Sequence, residues 1–172
     1  GSQQTFALPE WITLRFVSPE LVDLLVEELK VSRKELAVKL RCLNLHDYDF
    51  GELASAINAR INERCRKEGS DERVARVEGL HALKSLFDSV AGDAIPKRRA
   101  DLRVLVLTRN GEWKHADEMY LGDPYPGGGL MEALLGALHP EKFIASPADL
   151  DRDRDAARWE PLLRWLGAEV TP

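Results

Sequence analysis

Apolar residues recur every three or four positions from residue 16 to about residue 92, and that period predicts helices. Ser18-Pro19-Glu20 reads as an N-cap followed by proline in the first turn, with Leu21, Leu24, Leu25 and Leu29 as the stripe behind it. Ser32 and Glu35 make a capping box ahead of Leu36, Leu40 and Leu43. Asp49 and Glu52 repeat that spacing before Leu53, Ile57, Ile61 and Cys65, and Gly69 stops the run. The clearest helix spans about Asp71 to Ala91, where Val74, Val77, Leu80, Leu83, Phe87 and Val90 fall on one face.

The pattern changes at Gly92-Asp93-Ala94-Ile95-Pro96, where a helix does not easily continue. Leu102 to Leu107 is a short β-branched run that predicts a buried strand. Asn110-Gly111 predicts a hairpin turn, with Glu112 to Lys114 as the returning strand. Asp117 to Tyr120 reads as one helical turn, Pro124 to Gly129 as a loop, and Leu130 to Leu138 as a short helix. Phe143-Ile144 is a candidate strand. A last helix, about Asp155 to Leu166, ends at Gly167. Pro161 falls inside it and predicts a kink or a late start. Trp159 and Trp165 are six positions apart, so on a helix they lie roughly 120° from each other. Trp159 is expected in the core and Trp165 partly exposed.

The fold class is α+β. Residues 1–15 are expected to be a tag remnant and lead-in, since Gly1-Ser2 stands where a Met would, and the chain a piece of a larger protein. A bundle-like helical part, 16–92, packs on a small mixed part with a β-hairpin, 101–172, and the two can form one domain.

Composition narrows the function. The 172 residues are 44% hydrophobic and 31% charged, which fits a globular chain with a real core. No apolar run is long enough to span a bilayer. The net charge of -5 is held after residue 100, where 8 Lys and Arg face 13 Asp and Glu. Duplex-binding domains are usually basic, so nucleic acid is disfavoured as the main partner. Cys42 and Cys65 form no metal-binding spacing and read as buried free thiols of a reducing, cytoplasmic compartment, with a disulfide as the alternative.

Several constellations invite chemistry. Asp149, Asp151, Asp153, Asp155 and Glu160 follow the ligand spacing of a calcium loop, but Arg154 replaces the turn glycine. A helix N-terminus rich in carboxylates explains the same run. Gly127-Gly128-Gly129 leads into a helix without the Lys-Ser/Thr of a phosphate loop. His46, His81, His115 and His139 are scattered, and no nucleophile–base pair can be nominated. The chain itself is therefore expected to be no enzyme, with no catalytic residue, cofactor or metal. Two basic groups remain as candidate nucleic-acid contacts: Arg60, Arg64, Arg66 and Lys67, and Lys97, Arg98 and Arg99 with Arg103. A helical hairpin would place them at opposite ends of a helix, roughly 30 Å apart. Ser32 to Ile61 can be drawn as a helix-turn-helix, but its second helix suits major-groove reading poorly. Trp165 and Tyr125 are candidates for a partner surface.

From Leu102 onward the order of signals resembles a segment of sacsin-like and NO VEIN-like proteins. The carriers are the apolar strand, Asn110-Gly111-Glu112-Trp113, His115 to Gly122, Phe143-Ile144, and Trp159-Glu160-Pro161-Leu162-Leu163-Arg164-Trp165-Leu166-Gly167. The helices before it, with Leu43 to Phe50 ahead of a capped helix, are similar too. The resemblance departs at the 127–129 glycines and the 149–155 acids. It implies a parent that carries a gyrase/histidine-kinase/MutL-type ATPase domain elsewhere, with bacterial members linked to defence against phage and foreign DNA. This chain would be a spacer, coupling element or partner platform. Its partners would be other domains of the parent or a partner protein, with no membrane. A nucleic-acid-binding domain of a defence or regulatory protein is the alternative.

Overall fold

A computed structural model describes residues 8–17, 19–43, 45–47, 50–90, 101–147 and 155–170. Strand β1 (Arg15–Val17) leads into α1 (Pro19–Leu29) and α2 (Arg33–Cys42), and β2 (Leu45–Asp47) then pairs in parallel with β1. Helices α3 (Phe50–Arg66) and α4 (Glu72–Ser89) follow as a hairpin around Gly69, whose φ of 78° suits glycine. Strands β3 (Leu105–Leu107) and β4 (Trp113–His115) form the antiparallel hairpin. Helix α5 (Gly129–Leu135) and helix α6 (Ala156–Trp165) complete an α+β fold with six α-helices among the described residues.

Helix starts follow the caps. Ser32 accepts from the Glu35 amide at 3.2 Å while Glu35 accepts from the Ser32 amide at 2.8 Å, so the capping box is complete. Asp71 accepts from the Val74 amide, and Asp155 from the Ala157 amide. Gly167, at φ 108°, closes α6 with its amide on the Arg164 carbonyl. Pro161 lies within α6, so that helix does not start late. Ser18, Asp49, residues 92–96 and the acids 149–153 lie outside the described residues.

The hairpin is the seed of a wider, irregular ladder. The 143–145 segment pairs with the end of β3 through Thr108 and Ile144. Tyr120 bridges in turn to Phe143 and to Glu169. Each added segment is one or two residues long, so the short Phe143-Ile144 strand is present only as bridges.

Two apolar clusters hold the molecule. The larger joins Leu53, Ile57 and Ile61 of α3, Leu80, Leu83 and Phe87 of α4, Val104, Val106 and Leu107, and Trp159, Leu162 and Leu163 of α6. The α3–α4 hairpin thus shares its core with the mixed part. A satellite cluster unites Val17, Val22, Leu36 and Leu40 between β1, α1 and α2. Trp159 is 2% exposed, and the half-buried Trp165 packs edge-on against Phe50 at 5.0 Å.

Four expectations are corrected, the burial of both thiols among them. The inward face of α1 is Val22 with Leu25 and Val26, while Leu21, Leu24 and Leu29 are exposed. In α4 the first turns bury Ala75, Arg76 and Gly79 rather than Val74. Leu43 is the exposed C-cap of α2. Of the two free thiols, Cys42 is exposed and Cys65 half-buried, and burial pushes the Cys65 thiol up.

Candidate functional site

Two surfaces stand out. The first is built around α5. The Thr108–Glu112 turn holds Arg109 beside the chain at Gly122-Asp123: Thr108 Oγ1 donates to the Glu112 carbonyl at 2.9 Å, and Gly111 adopts φ 85°. From there the Arg109 guanidinium grips the Glu132 carboxylate with both terminal nitrogens, one at 2.8 Å, and also donates to the Asp123 carbonyl. The Asp123 amide donates to Glu132 as well. Gly122 leaves room for this arrangement: a Cβ there would sit 2.7 Å from Glu132 Oε2 and would push the carboxylate aside. Met131 is buried beneath the helix.

This anchor fixes which way α5 faces. With Met131 and Glu132 turned inward, Leu130, Leu134 and Leu138 project outward at 70%, 65% and 74% exposure. The turn beyond α5 continues far enough to align Leu138, whose amide donates to the Leu135 carbonyl at 3.1 Å. Three leucines at four-residue spacing form one apolar ridge. Their spacing is visible in the sequence. The Arg109–Glu132 grip, across 23 positions, is not.

The second surface is a cleft of about 240 Å³ lined by Trp11, Thr13, Arg60, Glu63, Arg64 and Lys67. Arg60 and Glu63 form an ion pair at 2.7 Å, and that hydrogen bond holds the Glu63 carboxyl below the usual range. The Trp11 indole N–H donates to Glu78 of α4 at 2.5 Å, which ties the side chain at the edge of the cleft to α4. Trp11 sits in the lead-in, where the hydrophobic pattern gives no helix or strand to place it.

Only part of the predicted basic set meets. Arg60, Arg64 and Lys67 line the cleft, whereas Arg66 is exposed and does not. Lys97, Arg98 and Arg99 lie outside the described residues. Arg103 does not stay at the far end of α4. Its carbonyl accepts from Asn58 of α3 at 3.0 Å, and its guanidinium pairs with Glu118 and with Asp117 at 3.6 Å. Arg103 therefore lies beside the middle of α3, not a helix length away from it.

Other candidates resolve differently. Tyr125 is 2% exposed, with its hydroxyl donating to the Ala145 carbonyl at 2.7 Å, so it offers no partner surface. Trp165 packs against Phe50 and Phe87 and stays half-buried. The helix-turn-helix drawing fails: β2 separates α2 from α3, and α3 buries Leu53, Ala54 and Ile57 while Glu52 pairs with Arg41. Asp155 caps α6, and Glu160 pairs with Arg164 at 2.6 Å. Gly127, at φ 76°, turns the chain into α5, whose first turns carry the Glu132 side chain bound to the Asp123 amide. No helix among the described residues is long and apolar enough to cross a membrane. Comparison with known family models, curated proteins and solved structures finds no match for this chain.

Proposed function

We propose that this chain is a non-catalytic interaction or coupling module of a larger cytoplasmic ATPase-type protein, of the kind found in bacterial defence systems. The observation that carries the module reading is the Leu130–Leu134–Leu138 ridge. Apolar side chains this exposed and this aligned cost solubility unless a partner covers them. The double grip of Arg109 on Glu132 holds the ridge rigid, so docking onto it orders little additional chain. The occupant is an apolar face of another domain of the parent or of a partner subunit. The ATPase and defence parts rest on the sequence resemblance running from Leu102 to Gly167.

The test supplies the remainder of the parent protein in trans and measures its association with this chain by calorimetry. Changing Leu130, Leu134 and Leu138 to Glu should weaken association at least about tenfold while circular dichroism stays unchanged, since these side chains support no core. Unchanged affinity in the triple variant overturns the ridge as the docking face.

A further inference from the structure

We infer that the cleft between Trp11 and the Arg60–Arg64–Lys67 face of α3 binds a single-stranded nucleic acid segment, phosphates on the cations and one unstacked base on the indole. It is independent of the α5 ridge.

Arg60 and Arg64 lie about 40° apart around α3, and Lys67 follows one residue past the helix end with its amide on the Arg64 carbonyl at 3.2 Å, so the three span roughly 10 Å along the chain's rise. They form a row rather than a point, as a strand of successive phosphates requires. Arg60 shares its charge with Glu63. Among the described residues no close ion pair engages Arg64 or Lys67. The lining therefore carries three cations and one carboxylate, a net positive spot on a chain of net charge -5.

An aromatic wall distinguishes this spot from an ordinary solvated helix face. Trp11 rests on the main core, its N–H is spent on Glu78, and the remainder of the side chain borders the cleft without a polar demand of its own. A basic track beside an aromatic platform is the physical signature of single-strand binding, because every base has a π-face and needs no specific hydrogen bond. At about 240 Å³ the cleft is smaller than the usual range for a drug-sized ligand. A duplex keeps its bases stacked and cannot offer one to Trp11. The acidic remainder of the chain keeps the affinity modest.

The test is fluorescence anisotropy of labelled ten-residue oligo-dT, oligo-rU and a matched duplex, from about 50 to 200 mM salt. Single strands should bind, with a slope of log affinity against log salt near about -2, since three phosphates contribute about -0.7 each. The R64Q/K67Q variant should bind about tenfold more weakly with a slope near about -0.7. R66Q removes the same charge as R64Q from the same helix but off the cleft, and should bind as the wild type does. A preference for rU over dT assigns the strand to RNA, and the reverse to DNA. Equal binding of the duplex, equal loss in R66Q and R64Q, or no binding at the lowest salt overturns the inference.

Discussion

At Gly79 the two longest helices touch. A Cβ there would lie 2.2 Å from Cγ1 and 2.3 Å from Cδ1 of Ile61, a buried residue of α3 with nowhere to retreat. Alanine would gain up to about 1 kcal/mol in helix propensity. Overpacking costs about 1–3 kcal/mol, and the Cγ1–Cδ1 arm of Ile61 is the part that must move. Gly79→Ala should therefore lower stability by about 1–2 kcal/mol in urea unfolding. Changing Ile61 to Ala removes both atoms in the way, so the loss should vanish in that background; a double-mutant cycle without coupling sinks the account. The sequence marks Gly79 only as an interruption of an apolar stripe. The same stripe misplaced Val74, because the first turns of α4 face inward through Ala75, Arg76 and Gly79. Glu35 gives a second residue-scale test. Hydrogen bonds from Ser32, its backbone amide foremost, hold the Glu35 carboxyl below the usual range. A carboxyl depressed in the folded state adds stability above its unfolded pKa, and that stability is lost as pH falls through the folded value. Carbon-detected NMR should show Glu35 titrating below an unpaired glutamate. Ser32→Ala should move it part of the way back, because the backbone donor survives; no movement would place the cause elsewhere.

Helix α5 has seven residues, too few to be stable alone. Its start was readable at Leu130, whereas the expected end at Leu138 overran the helix, which stops at Leu135 and passes into a turn at Gly136; its support was not readable, because Arg109 and Glu132 are ordinary surface residue types in the sequence. The Glu132 carboxylate is about three-quarters sheltered and answers both Arg109 and the Asp123 amide. Removing it leaves a guanidinium and an amide without their acceptor. Glu132→Ala should cost about 1–3 kcal/mol, the buried-pair value reduced for the solvent that reaches both groups. Hydrogen exchange should rise across residues 129–138 and at Asp123 and spare α3. Uniform protection in the variant would mean that Met131 alone anchors the helix. Other elements show where periodicity fails. Strands β1 and β2 have three residues each, too short for an alternation to register, and they pair across α1 and α2. Helix α1 is apolar on more than one face, so a stripe through Leu21, Leu24, Leu25 and Leu29 competes with one through Val22, Leu25 and Val26. The neighbours decide between them: α2 and β1 meet Val22.

The α+β class follows from the switch in pattern near residue 92, but how the core is shared depends on contacts that no local window contains. Helices α3 and α4 bury their faces together with β3 and α6, in one cluster that spans the chain from Ile12 to Ala168. Helices α1 and α2 close on a cluster of four fully buried side chains. Stability in such a molecule is not uniform, because a small cluster loses little buried surface when it opens alone. The satellite is tied to the rest through β2 beside α3 and through the partly exposed Arg41–Glu52 ion pair. Exposed pairs of that kind contribute at most about 1 kcal/mol. The α1–α2 unit should therefore open below the global unfolding free energy. Native-state hydrogen exchange in low denaturant should resolve two groups of amides, with those of α1 and α2 exchanging at lower cost than those of α3, α4 and α6. Leu40→Ala, a truncation in the satellite, should lower protection in α1 and α2 by about 2–4 kcal/mol or down to none, and leave α4 within about 0.5 kcal/mol of wild type. Leu83→Ala, in the main core, should lower both groups, since the satellite cannot outlast the surface on which β2 rests. If Leu40→Ala lowers α4 protection as much as it lowers α1, the two clusters unfold as one unit and the division of the core carries no energetic meaning.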